Sequence, residues 1–117
     1  MKQVLGAFAG LVLASCTTVN SVGANVPYWT GTTSRQRSEV AMCVAREWGK
    51  TKGFRVEIKD SEAETSIILT GSTLAGIDMV ASIHADGRIE MHKRPAAWSH
   101  LDARLRDATA ACAANPA

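Results

Sequence analysis

The chain has 117 residues, with 13 basic and 11 acidic side chains and a formal net charge of +2. That length suits one small domain. Charge so evenly balanced excludes a nucleic-acid binder or a polybasic membrane patch.

In chain order, Lys2 is followed by an apolar run from Val4 to Ala14 that ends at small residues, the three-part pattern of an export signal. The run is too short to cross a bilayer, which takes about 20 apolar residues. Its two glycines and terminal position argue against a buried core helix. Leu13, Ser15 and Cys16 stand at the spacing of a lipoprotein cleavage box, so residues 1–17 resemble the export segment of a bacterial lipid-anchored lipoprotein. The resemblance implies removal of a signal peptide at residues 1–15. It also implies a diacylglycerol on the Cys16 sulfur and an acyl chain on the new amino terminus. Stable anchoring takes at least two such chains. Thr17 rather than Asp follows Cys16, which in that family leans towards the outer membrane, facing the periplasm.

Residues 16–33, rich in Thr, Asn, Ser and Gly without sustained periodicity, read as the acylated cysteine and a flexible tether. Tyr28 and Trp29 are expected to pack the end of that tether onto the folded part. Residues 34–115 are expected to form the single domain. Thr33 and Gln36 have the spacing of a capping box. Val40, Cys43, Val44 and Trp48 then recur at steps of three and four, which predicts an amphipathic helix stopped by Gly49 and Gly53.

Beyond Gly53 the period changes to two. Phe54, Val56 and Ile58 alternate with Arg55, Glu57 and Lys59 as a half-buried strand. Thr65–Thr70 reads as a second strand of unclear facing. Ile77, Met79, Ala81 and Ile83 form the inward row of a third, and Ile89 and Met91 that of a fourth. A three-residue loop with Gly87 in the left-handed region pairs Ile83 with Ile89 and Ala81 with Met91. A two-residue loop would oppose Ile83 to Glu90, an apolar row against a charged one. Pro95 suits a helix start, after which Trp98, Leu101, Leu105, Ala108 and Cys112 form a stripe closed by Asn115-Pro116. The expected fold is α+β: a two-layer sandwich of a four-stranded antiparallel sheet with N- and C-terminal helices on one face, α-β-β-β-β-α.

With Cys16 assigned to lipid, Cys43 and Cys112 have only each other, and an oxidising compartment favours a disulfide over two unpaired buried thiols. Both lie on the buried stripes of their helices. His84, His92 and His100 lack the spacing of a zinc motif, so neither a metal nor a small-molecule cofactor is expected. Asp78, Ser82 and His84 share a strand face, yet no strained turn presents the serine, which makes a weak hydrolase a poor reading. The sheet face away from the helices offers a mixed-charge surface of Arg55, Glu57, Lys59, His84, Arg88, Glu90 and His92. The resulting expectation is a non-enzymatic membrane-anchored module that binds an envelope protein. The alternative is a protective inhibitor, conferring toxin immunity or prophage superinfection exclusion.

Overall fold

Alternating apolar residues build the centre of the molecule. In the computed structural model, which describes residues 26–71, 76–94 and 99–114, five strands form one antiparallel sheet in the order β1-β5-β4-β3-β2. They are β1 (Trp29–Thr32), β2 (Arg55–Asp60), β3 (Glu64–Thr70), β4 (Ile77–His84) and β5 (Arg88–Lys93). Two helices, α1 (Arg37–Trp48) and α2 (Ser99–Ala114), complete the described elements. The α+β class holds, with one strand more than the sequence pattern predicts. None of the described helices is long and apolar enough to span a bilayer.

The additional strand lies in the stretch read as tether. Trp29 pairs with Met91 and Thr32 with Arg88, and the ladder runs on through Tyr28 N–H to Met91 C=O (2.7 Å) and Thr33 N–H to Gly87 C=O (2.9 Å). The tether reading therefore fails from residue 28 onward, where the chain becomes a sheet edge. Tyr28 and Trp29 do pack against the core, as expected. The signal segment, Cys16, Pro95, Trp98 and Asn115-Pro116 lie outside the described residues.

The core-facing row of the sheet comprises Ile67 and Leu69 on β3, Met79, Ala81 and Ile83 on β4, and Ile89 and Met91 on β5. It closes against Val40, Val44 and Trp48 of α1 and Leu105, Cys112 and Ala113 of α2. At about 25 cal/mol per Å² of apolar area removed from water, this row is the main source of stability. The β4–β5 register is the one that the apolar rows require: Ile83 opposite Ile89 and Ala81 opposite Met91. Gly87 makes the turn at φ 93°.

The start of α1 differs from the expected capping box. Its N-cap is Gln36, with extended backbone and no side-chain cap hydrogen bond. Thr33 works elsewhere: its hydroxyl accepts from Arg35 N–H (3.1 Å) and donates to Ala113 C=O (2.8 Å). Arg35 Nη1 donates to Cys112 C=O at 2.6 Å. The last carbonyls of a helix have no partner within it, and here the segment between β1 and α1 supplies two partners for α2. Cys43 and Cys112 are joined by a disulfide with Cα atoms 5.7 Å apart, which ties the two helices together.

Candidate functional site

The sheet face opposite the helices, picked out above for its charges, is divided by the fold into three zones. Across its middle run Ile68, Val80 and His92, aligned on adjacent strands. Ile68 and Val80 are each 2% exposed and form a small second apolar cluster with Ile77. His92, expected on the exposed surface, is only 6% exposed. It stands opposite Val80 and is enclosed rather than part of the exposed charged surface.

The second zone lies at the β4–β5 turn, where His84, Arg88 and Glu90 are brought together as expected. His84 stands between two carboxylates, with Nδ1 3.5 Å from Glu64 and Nε2 3.2 Å from Glu90. Arg88 reaches Glu90 at 3.6 Å and Asp86 at 3.1 Å. Hydrogen bonds from the Arg88 backbone and side chain, joined by the charges of Arg88 and His84, hold the exposed Asp86 carboxyl below its ordinary value. Glu64 and Asp86 joined this cluster unannounced: Glu64, at the start of β3, reaches His84 through the strand register, whereas Asp86 meets Arg88 locally, two residues along the turn. The charges in this zone are mutually engaged. Ser82 lies opposite Ser66 and Glu90, and the ring of His84 is turned to carboxylates rather than to the serine hydroxyl.

The third zone is β2, which among the described residues is the sheet edge opposite β1. Arg55, Glu57 and Lys59 are exposed there, and no ion pair engages them among the described residues. Ile58, on the core-side row opposite Ile67, is 41% exposed.

Asp78, which the strand pattern assigns to the outer polar face, is 2% exposed and bound to Arg94 at 2.5 Å. The β3–β4 register shifts between Leu69 and Thr70, at the same end of the sheet. Asp102 is equally buried on α2 and receives Lys93 at 2.6 Å. Two buried carboxylates, each held by a partly exposed cation, thus brace the end of the sheet where β4 begins and β5 ends. A groove of about 430 Å³ runs between the helices, lined by Arg35, Glu39, Cys43, Arg46 and Glu47 beside the disulfide. Among the described residues no group of three or more His, Cys, Asp or Glu is arranged to hold a metal ion.

Comparison with known protein families, with curated proteins and with solved structures finds no match.

Proposed function

We propose that the chain is a bacterial lipoprotein, anchored through acyl chains on Cys16, whose folded head is a non-enzymatic binding module of the cell envelope. The observation that carries the reading is the use of the cysteines. Cys43 and Cys112 are bonded to each other, so the one cysteine left over is Cys16, at the end of Leu13-Ala14-Ser15-Cys16. A structural disulfide fits an oxidising compartment outside the cytoplasm. Entry of the chain at the β1 edge is compatible with suspension from a membrane. At 3.3–3.6 Å per residue, the stretch from Cys16 to Trp29 spans at most about 40–50 Å.

The anchor is tested by metabolic labelling with a radioactive fatty acid in a bacterial host. The full chain is expected to incorporate label and to lose the mass of residues 1–15. Cys16→Ser should abolish the label while the Cys43–Cys112 bridge still forms. An unlabelled, uncleaved protein, or label retained in Cys16→Ser, would overturn the reading.

A further inference from the structure

The β2 edge has a pattern that the proposed anchor does not explain. Ser61 N–H donates to Glu64 C=O at 2.9 Å, and their register continues that of β2 with β3. In an antiparallel ladder successive residues turn their backbone groups to alternate sides. Val56, Ile58 and Asp60 therefore direct N–H and C=O away from β3. An exposed row of such groups is a template for another strand, and chains usually blunt it with charge, proline or a bulge.

Here the charges alternate in sign along Arg55-Val56-Glu57-Ile58-Lys59-Asp60. A two-fold axis at Ile58 makes the strand complementary to its own antiparallel copy. Ile58 faces Ile58, each Glu57 faces a Lys59, and Val56, Ile58 and Asp60 become the hydrogen-bonded positions. Centring on Glu57 instead would oppose Glu57 to itself and Arg55 to Lys59. Centring on Val56 would pair Arg55 with Glu57 but stops at Gly53, whose φ of 85° leaves the extended region. The Ile58 register pairs residues 56 to 60, sets Val56 opposite Asp60, covers the exposed Ile58 and partners Glu57 and Lys59. The other sheet edge is unsuited: β1 is four residues long, and the Trp29 ring lies over Gly31.

We infer that the chain forms a homodimer through antiparallel pairing of β2 with β2 of a second copy about Ile58, joining two sheets into one. This stands on the folded head alone and goes beyond the anchored-module reading.

Two measurements test it. A photocrosslinking residue at position 58 of the full chain, expressed in cells, is expected to give a covalent product of twice the chain's mass. The same residue at position 42, whose Met is 64% exposed on α1, should not. The full chain purified in detergent is then followed by sedimentation. Glu57→Lys and Lys59→Glu should each weaken the dimer about tenfold or more, since like charges directly opposite repel. The double exchange, which restores both pairs, should recover the starting affinity. Intact Cys43–Cys112 bridges in all variants confirm that the fold is retained. The inference is overturned by a chain that stays monomeric, by crosslinks from position 58 only to other proteins, or by failure of the double exchange to restore association. Insensitivity to Lys59→Glu alone would sink it too, because the Ile58 register opposes Lys59 to Glu57.

Discussion

Gly87 shows how much a single residue can be required to do. At φ 93° it occupies a region that costs residues bearing a Cβ, and a methyl group there would lie 2.5 Å from the carbonyl oxygen of Thr33. That oxygen belongs to backbone paired with the turn, so it cannot swing aside. Gly53 also has positive φ, at 85°, but nothing lies within 4 Å of the added carbon. Gly87→Ala is therefore expected to cost about 2–3 kcal/mol and Gly53→Ala about 1 kcal/mol, from strain alone. Urea unfolding midpoints of the two variants measure the difference, and equal losses would mean that the Thr33 contact carries no weight. The turn at Gly87 was legible because the apolar rows admit one register. The role of Thr33 was not, because its partner Ala113 lies 80 residues away and a local capping box fits the same letters. His92 misled for a related reason: alternation assigns a face, whereas enclosure depends on what stands beside the residue across the sheet.

At the scale of elements, long periodic stretches declared themselves and short ones did not. The α1 stripe, the β2 alternation and the β4–β5 hairpin repeat often enough to be read. β1 does not, since Trp-Thr-Gly-Thr holds one large apolar residue and becomes a strand by pairing with β5. Tertiary pairing of this kind overrides weak local preference. Polar braces between elements were equally hidden. Lys93 follows the core-facing row of β5 and meets Asp102 of α2, whose carboxylate side chain is 2% exposed. Charges taken from water repay little as a pair, but a lone one is costly. Lys93→Ala should therefore destabilise the fold by about 3–5 kcal/mol, leaving Asp102 enclosed without its cation. Replacing both residues by Met and Leu should cost far less. A double-mutant cycle by denaturant unfolding reads the coupling, and additive losses would show that the pair is not linked.

For the whole molecule, the question is what holds α2 in place. It packs on the sheet face through Leu105, Cys112 and Ala113. Trp48 Nε1 of α1 donates to Thr109 Oγ1 at 3.2 Å, and Arg104 of α2 donates to Thr51 Oγ1 at 2.7 Å. Thr33 and Arg35 close its final carbonyls. These contacts join the last helix to the first third of the described chain, and the disulfide links the same regions across 69 residues. In the chain-entropy account a loop of that size is worth roughly 4 kcal/mol. A domain this small has only about 5–15 kcal/mol in all. Replacing Cys43 and Cys112 together by Ala should lower the melting temperature by about 15–30 °C, at some 4–8 °C per kcal/mol for a domain of this size. Because the contacts around Trp48 survive the exchange, the variant should still fold, with amide protection falling first in α2 and last in the central β3–β4 ladder. Uniform loss of protection would mean that the helix and sheet unfold as one unit, leaving the bridge no local role. Unchanged melting would instead mean that the packing of α2 suffices without it.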